Sequence, residues 1–125
     1  MVRTDRRKSL GRLGEQLAAE HLMCRGFQIV ERNFRTRWGE LDIIARDGLT
    51  LVFCEVKTCR SGGRGVTPFD SLHPRKRAQV RRIARSWLSL RKPRPVASAL
   101  RFDAIGITID PAGQLVALEH LEGAF

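Results

Sequence analysis

The chain has 125 residues, of which 23 are lysine or arginine and 13 are aspartate or glutamate, giving a formal net charge of +10. Its hydrophobic content of 42% is ordinary for a globular protein, and the length suits one domain over residues 1–125 without disulfides or a structural metal. The basic excess implies a polyanionic partner, most often nucleic acid, with an anionic membrane surface as the lesser alternative.

Cysteine content and hydropathy point to a reducing compartment. The three cysteines are an odd number without CxxC spacing, and neither a signal-peptide core nor an apolar run of membrane-spanning length is present in the sequence. We therefore expect a cytoplasmic protein with no membrane association. Cys54, Cys59 and His73 could hold zinc. However, Cys54 is among the residues of its strand that are predicted to face inward, and no fourth ligand is placed to complete the site. Buried or incidental thiols are favoured.

The first predicted helix covers residues 9–25, where leucine and alanine recur at spacings of three and four before Gly26. The basic residues 1–8 are predicted to form a frayed arm. Glu15 lies at the edge of the apolar stripe, where a glutamate is usually solvated, so periodicity alone leaves its role open. A first strand is predicted over residues 27–36.

Residues 39–57 predict two strands joined by a tight turn at Asp47-Gly48, since both residues tolerate positive φ. Every second residue of each strand is apolar, as expected for one buried face. The residues between them, on the other face, are apolar near the turn and charged at the far end. The charged residues are Glu40, Asp42, Glu55 and Lys57.

The turn leaves two registers open for these charges. A four-residue loop pairs Arg46 with Leu51 and places Asp42 opposite Glu55, whereas a two-residue loop pairs Asp42 with Phe53. Both registers keep the four charged groups on one face, which we expect to be open to solvent. Opposed side chains lie about 5 Å apart at Cβ, so two carboxylates there repel unless a cation lies between them. Two carboxylates and an ammonium at this spacing suit a Mg²⁺ site.

Residues 58–72 are rich in glycine and basic residues and are predicted to form a flexible loop. Its glycines match neither GxxxxGK nor GxGxxG, so a phosphate-cradling loop is not expected. Arg60 and Arg64 are candidate phosphate contacts, with a solvated loop as the alternative.

The second predicted helix runs from Pro74 to Leu90 or Arg91, and its apolar face includes Trp87, which we assign to the core rather than to base stacking. Residues 75–94 contain nine lysines and arginines and no acid. A solvated helical face normally mixes both signs, because like charges one turn apart repel. The unmixed face indicates a phosphate-backbone partner. Its candidate contacts are Lys76, Arg77, Arg81, Arg82 and Arg85.

The remainder of the chain predicts a fourth strand over residues 100–109, a turn at residues 110–113, and a short edge strand over residues 115–119. Asp103 interrupts the apolar alternation of the fourth strand. It is a candidate for a structural carboxylate or one that supports the charged site. The predicted class is α/β, with a mixed sheet of about five strands, two main helices and the order α-β-β-β-α-β-β.

This order resembles the core of the restriction-endonuclease-like superfamily, and the sequence is more narrowly similar to the YraN-like family of small bacterial proteins, which is related to archaeal Holliday junction resolvases. The resemblance covers nearly the whole chain. It lies in Gly14-Glu15 with Ala18, Asn33 with Arg35, Gly39-Glu40-Leu41-Asp42, Phe53 with Glu55-Val56-Lys57, Trp87-Leu88, and Arg101-Phe102-Asp103.

The resemblance implies a metal-dependent nuclease site. Asp42 and Glu55 would bind Mg²⁺ or Mn²⁺ together with the backbone carbonyl of Val56, and Lys57 would orient or deprotonate the attacking water. Two further acids are assigned by the same resemblance. Glu15 matches the additional acid on the first helix of junction resolvases, and Glu40 is an outer acid of the site.

We therefore predict an endonuclease that hydrolyses DNA, with branched or junction DNA in recombination or repair as the implied substrate and a homodimer implied by resemblance to junction resolvases. Two alternatives remain open. One is a non-catalytic nucleic-acid-binding protein with a nuclease-like fold, in which the acids only pair with basic side chains. The other is a scaffold that docks onto a larger complex.

Overall fold

A computed structural model describes residues 2–62 and 74–125 of the chain. Two helices and five strands follow one another in the predicted order, which confirms the α/β class. The elements are α1 (Val2–Cys24), β1 (Gln28–Thr36), β2 (Gly39–Asp47), β3 (Thr50–Arg60), α2 (Pro74–Leu90), β4 (Ala99–Ile109) and β5 (Leu115–Leu121).

The five strands form one sheet in the order β1-β2-β3-β4-β5. Strands β3 and β4 are parallel, and every other neighbouring pair is antiparallel. Parallel neighbours need a long crossover, and α2 lies in the connection between them. The sheet is therefore mixed, as predicted, and β5 lies at its edge.

Each helix covers one face of the sheet. On the α1 face, Ala18 and Leu22 pack in one buried cluster with Ile43 and other apolar residues of the central strands. On the α2 face, Ile83 and Trp87 pack in a second cluster. Trp87 is 1% exposed, which confirms its assignment to the core. Both faces of the central strands are thus apolar, as expected for strands inside a sheet.

The β2–β3 hairpin adopts the first of the two predicted registers, with Arg46 opposite Leu51. The loop is shorter than expected because Asp47 also pairs with Thr50, and Gly48 adopts a φ of 61° in the turn. Pairing of the two strands ends at Ile43 and Cys54, so the strands part just before Asp42.

The predicted alternation of β2 is wrong at Asp42. Leu41 belongs to the α2-side cluster and Ile43 to the α1-side cluster, although both were predicted on one face. This change of face lies opposite Asn33 of β1, whose backbone has a φ of 56°. Asn33 stands between Arg32, which pairs with Ile43, and Phe34, which pairs with Leu41. Asparagine is among the few residues that tolerate this left-handed conformation within a strand.

Three predicted boundaries also differ. Helix α1 begins at Val2, so the arm predicted to be frayed is helical. Strand β3 continues to Arg60 because it pairs with β4 as far as Ile109, so the first three residues of the predicted loop are strand. Residues 63–72 of that loop, with Arg64, lie outside the described residues, and so does His73 of the alternative zinc site. In the ranges that are described, neither helix is both long and apolar enough to cross a bilayer.

Candidate metal centre

Three carboxylates from two elements converge beside the opened end of the β2–β3 hairpin. Glu15 of α1 and Glu40 and Asp42 of β2 each offer an oxygen, and these oxygens lie within 4.8 Å of one another. We call this set the acid centre. It brings together three of the four acids that the sequence singled out.

Gly14 is the reason that Glu15 reaches the sheet. A Cβ at position 14 would lie 1.8 Å from Oγ1 and 2.9 Å from Cβ of Thr58 on β3, distances that no side chain tolerates. Only glycine therefore lets α1 approach β3 this closely. Glu15 follows directly, so the close approach carries its carboxylate over β2.

Asn33 connects two members of the acid centre. With its amide nitrogen turned toward the carboxylates, it donates hydrogen bonds of 2.9 Å to Oε1 of Glu15 and to Oε1 of Glu40. The same residue carries the left-handed backbone of β1. Asn33 is among the residues that carry the family resemblance, but the resemblance gives it no role. An asparagine within a predicted strand could have indicated the irregular backbone at this position, because asparagine tolerates the left-handed conformation.

Asp42 is the most perturbed acid. Burial, followed by repulsion from Glu55, raises the pKa of Asp42 to about 8, although its Oδ2 accepts a 2.7 Å hydrogen bond from the backbone N–H of Val56. Partial burial and then repulsion from Glu40 also raise the pKa of Glu15. Asp42 thus retains its proton near neutral pH unless a cation compensates its charge.

Glu55 is buried, with 6% of its surface exposed, so the prediction of a solvent-open carboxylate is wrong. Its Oε1 lies 2.9 Å from Nζ of Lys76 on α2. Its other oxygen, Oε2, is buried and has no hydrogen-bond partner among the described residues. An orphaned carboxylate oxygen is costly inside a protein and indicates a missing ligand.

These observations fit a divalent cation. Mg²⁺ and Mn²⁺ prefer carboxylate and carbonyl oxygens, and one or two carboxylates are enough to hold Mg²⁺. Glu55 lies close enough to repel both Asp42 and Glu15, so the predicted pair Asp42 and Glu55 are neighbours. The backbone of Val56 adjoins Asp42, and Lys57 follows it on β3 with a partly exposed side chain.

A basic rim surrounds the acid centre. A cavity of about 370 Å³ opens beside Glu15 and Glu40. Its basic lining residues are Lys8, Arg12 and Arg35. Arg35 Nε lies 3.0 Å from Glu40 Oε2 while most of its side chain is exposed. Such a rim can attract an anionic group to the acid centre.

The predicted phosphate contacts on α2 differ in their contacts with the rest of the protein. Arg77 and Arg85 are exposed. Lys76, by contrast, pairs with Glu55, and Arg81 donates a 2.8 Å hydrogen bond to the carbonyl of Phe125. Arg82 is exposed, with its guanidinium carbon 5.6 Å from the centroid of the Trp38 ring. Arg60, at the end of β3, is also exposed.

A second carboxylate centre surrounds Asp103 on β4. This side chain is fully buried, and it accepts two 2.9 Å hydrogen bonds from Arg101, one of 2.8 Å from Nε2 of His120 and one of 3.0 Å from the N–H of Gly123. Burial would raise the pKa of Asp103, but the hydrogen bonds from His120 and Arg101 outweigh it and lower the pKa. Asp103 is therefore a structural carboxylate with all of its charge compensated.

The thiols are not arranged as a metal site in the described chain. Cys54 is buried, and burial raises the pKa of its thiol, so it is unreactive. Cys59 lies 3.8 Å from the hydroxyl of Thr108. These positions support the assignment of the cysteines to packing.

Comparison with known sequences identifies relatives of the whole chain. It is 47% identical over 117 residues to a UPF0102 protein of Frankia alni, an alignment that covers 94% of both chains. It is 45% identical over 127 residues to one of Acidothermus cellulolyticus, with 95% of both chains covered. It is 46% identical over 118 residues to one of Geobacter metallireducens, with 94% of this chain and 93% of the relative covered.

The sequence profile described as "Uncharacterised protein family UPF0102" matches residues 14–107. This range begins at the glycine that brings α1 to the sheet and ends in β4, so it includes the acid centre. The chain belongs to the UPF0102 family.

Proposed function

We propose that this protein is a divalent-metal-dependent endonuclease that hydrolyses DNA phosphodiester bonds, with branched or junction DNA as the expected substrate. The observation that supports this most is the convergence of Glu15, Glu40 and Asp42 next to Glu55, beside a cavity with a basic rim. Acids that repel one another favour a cation, and the rim favours a polyanion. A phosphodiesterase of this kind needs both in one place.

The roles follow from the positions of the side chains. Asp42 and Glu55 would hold Mg²⁺ or Mn²⁺ together with the Val56 carbonyl, and Glu15 lies beside the same position. A bound divalent ion supplies positive charge to the scissile phosphate and lowers the pKa of the attacking water. Lys57, which follows Val56 on β3, orients that water or takes its proton. Asn33 donates to both Glu15 and Glu40 and so holds the two carboxylates in place.

The decisive test of this function is a cleavage assay on branched, flapped, single-stranded and duplex DNA, with Mg²⁺, Mn²⁺ and chelator. We expect Asp42→Asn and Lys57→Ala to abolish cleavage while DNA affinity stays the same or rises. Glu119→Gln is the matched control, because Glu119 is an exposed acid on β5. Wild-type protein that binds branched DNA but nicks it with neither metal would refute the enzymatic function.

Calorimetric titration with Mn²⁺ separates the two roles without relying on activity. Asp42→Asn should lose the metal-binding heat, because it removes a ligand. Lys57→Ala should retain it, because the ammonium is not a ligand. Equal loss of binding in both variants would contradict these roles.

A specific observation favours the second candidate, a non-catalytic nucleic-acid-binding protein. Two of the acids already have basic partners, with Lys76 at 2.9 Å from Glu55 and Arg35 at 3.0 Å from Glu40. In such a protein the acids hold basic side chains in place, and the α2 face binds the phosphate backbone. It would show no metal-binding heat, and Asp42→Asn would leave DNA binding and its metal dependence unchanged.

We also propose that the active form is a homodimer, since symmetric cutting of two strands of a junction requires two sites. Sedimentation velocity of the protein with a four-way junction tests this. A complex of two chains per junction is expected, and one chain per junction at saturating protein would contradict it.

A further inference from the structure

A second concave site lies where the turn between β1 and β2 meets α2. Its cavity, of about 310 Å³, is lined by Trp38, Arg75, Ala78, Gln79 and Arg82. It combines one large aromatic ring with two guanidinium groups. This chemistry differs from that of the acid centre, and the proposed nuclease mechanism does not use it.

The backbone that carries Trp38 is fixed in place. Thr36 pairs with Gly39, so Trp38 occupies a two-residue turn, and its N–H donates a 3.1 Å hydrogen bond to Oγ1 of Thr36. The side-chain amide of Gln79 donates to the carbonyl of Trp38 and ties the turn to α2. The ring packs partly against the α2-side core and remains partly exposed. It is therefore presented at the surface in a defined position.

Two cations stack over this ring. The guanidinium carbon of Arg37 lies 4.7 Å from the ring centroid, and that of Arg82 lies 5.6 Å from it. Both distances are typical of cation–π contacts. A nucleobase is likewise planar and stacks on tryptophan. A base that replaces a guanidinium on the ring leaves that cation free to bind the phosphate of the same nucleotide.

We propose that the Trp38 cavity binds an unpaired nucleotide, with its base stacked on Trp38 and its phosphate held by Arg75 and Arg82. The base must be unpaired because both faces of a base inside a duplex are covered by its neighbours. A bare phosphate would leave the aromatic ring unused. An acidic peptide would match the charge but not the stacking surface.

The position of the cavity deepens the proposed nuclease function. Gly39 alone separates Trp38 from Glu40, so one turn connects the cavity to the acid centre. If the protein cuts DNA, the cavity selects substrates with unpaired nucleotides beside the cut, such as flaps and branches. That preference rests on the proposed function. Nucleotide binding itself requires neither metal nor cleavage and can be tested alone.

The chain provides its own reporter for the test. It has two tryptophans, and Trp87 is 1% exposed, so a ligand at the surface affects the fluorescence of Trp38. We would titrate the protein in chelator with a short oligothymidylate and, separately, with an abasic strand of equal length and charge. We expect oligothymidylate to quench the fluorescence and to bind on the order of tenfold tighter than the abasic strand.

Four variants locate the effect. Trp38→Ala should remove the preference for oligothymidylate, and Trp38→Phe should keep most of it, because a ring remains. The Phe variant also retains much of the packing, so it protects the test against a loss of folding. Arg82→Ala should weaken both probes, whereas Lys92→Ala removes an exposed charge just beyond α2, outside the cavity and outside the predicted phosphate contacts, and should leave the preference intact.

Equal affinity of the wild type for the two strands, without quenching, would overturn the proposal and indicate binding of polyanions only. Because no metal is present, this result is independent of the cleavage assay. A protein that cuts DNA but shows no preference between the probes would retain the nuclease function and lose the nucleotide cavity.

Discussion

Two aspartates on the same sheet, Asp103 fully buried and Asp42 partly buried, have opposite electrostatic surroundings. Asp103 receives hydrogen bonds from Arg101, His120 and Gly123, and its pKa is lowered despite complete burial. Asp42 has one backbone donor and acidic neighbours, and its pKa is raised to about 8. Burial alone therefore does not set the direction of the pKa shift of an aspartate. The sign of the surrounding charge sets it, since Asp103 faces basic groups and hydrogen-bond donors whereas Asp42 faces other acids.

The largest expected effect is a difference in the free energy of unfolding between variants of the two aspartates. Asp103→Asn should lower the free energy of unfolding by about 3–5 kcal/mol, because it leaves the buried side of Arg101 without its carboxylate. Asp42→Asn should leave the free energy unchanged or raise it, since it removes repulsion. Urea unfolding at pH 8 in chelator measures both. Equal destabilisation by the two substitutions would remove the distinction between the centres.

The next effect concerns pH and metal. Folded Asp42 keeps its proton up to about pH 8, whereas the unfolded chain loses it near the ordinary value of 3.8. Its contribution to stability is therefore fully present below pH 3.8 and is lost as the pH rises towards 8. The lowered pKa of Asp103 acts in the opposite sense, and its contribution is lost only as the pH falls below 3.8.

Mg²⁺ should counteract the loss at high pH. At a concentration of 100 Kd it would add about 2.7 kcal/mol to the free energy of unfolding. At one fixed concentration the gain should be larger at pH 9 than at pH 5, where Asp42 holds its proton. Thermal unfolding over this pH range with and without Mg²⁺ measures the effect. Asp42→Asn should abolish it and Glu119→Gln should not. An equal response to Mg²⁺ at both pH values would contradict the acid centre as the binding site.

A smaller effect tests how Glu15 reaches the acid centre. Gly14→Ala should cost about 1–3 kcal/mol and weaken Mn²⁺ binding, because the new methyl group meets Thr58 and pushes α1 away from β3. Gly11→Ala is the matched control, since a Cβ there has no neighbour within 4 Å, and it should be neutral or slightly stabilising. Calorimetry and urea unfolding of both variants distinguish the outcomes. Similar behaviour of the two would show that the close approach is dispensable.

The smallest effect separates the two roles of Asn33. Asn33→Gly and Asn33→Ala both remove the amide between Glu15 and Glu40 and should weaken Mn²⁺ binding alike. Only alanine must adopt the φ of 56° with a Cβ, so it should be about 1 kcal/mol less stable than the glycine variant. Denaturant unfolding measures this difference. A glycine variant with normal metal affinity would leave Asn33 a purely conformational role.

Local patterns predicted much of this structure. The turn at Asp47-Gly48 was predicted from its residue types and leaves two registers of β2 and β3 open, of which the structure adopts the one that pairs Arg46 with Leu51. Helix α2 has the predicted bounds because Pro74 begins it and its apolar face is continuous. These features depend on residues close together in the sequence, where turn chemistry and periodicity apply directly.

The features that the sequence did not predict depend on contacts between distant elements. Leu41 and Ile43 face opposite sides of the sheet where the neighbouring strand carries the left-handed backbone of Asn33, and strict alternation cannot represent such an irregularity. The pairing of Lys76 with Glu55 depends on how α2 docks onto the sheet, which periodicity does not specify. Glu15 was uncertain for the same reason, since its position depends on the contact of Gly14 with Thr58.

Lys76 belongs to two surfaces at once, because it is part of the basic face of α2 and its ammonium compensates Glu55. A polyanion that draws Lys76 outward would leave Glu55 with a free charge and thereby raise the affinity of the acid centre for a cation. Thermodynamic linkage then requires the converse by the same factor, so a bound cation would release Lys76 and strengthen binding of the polyanion. In the proposed nuclease, this salt bridge would make metal and nucleic acid cooperative ligands.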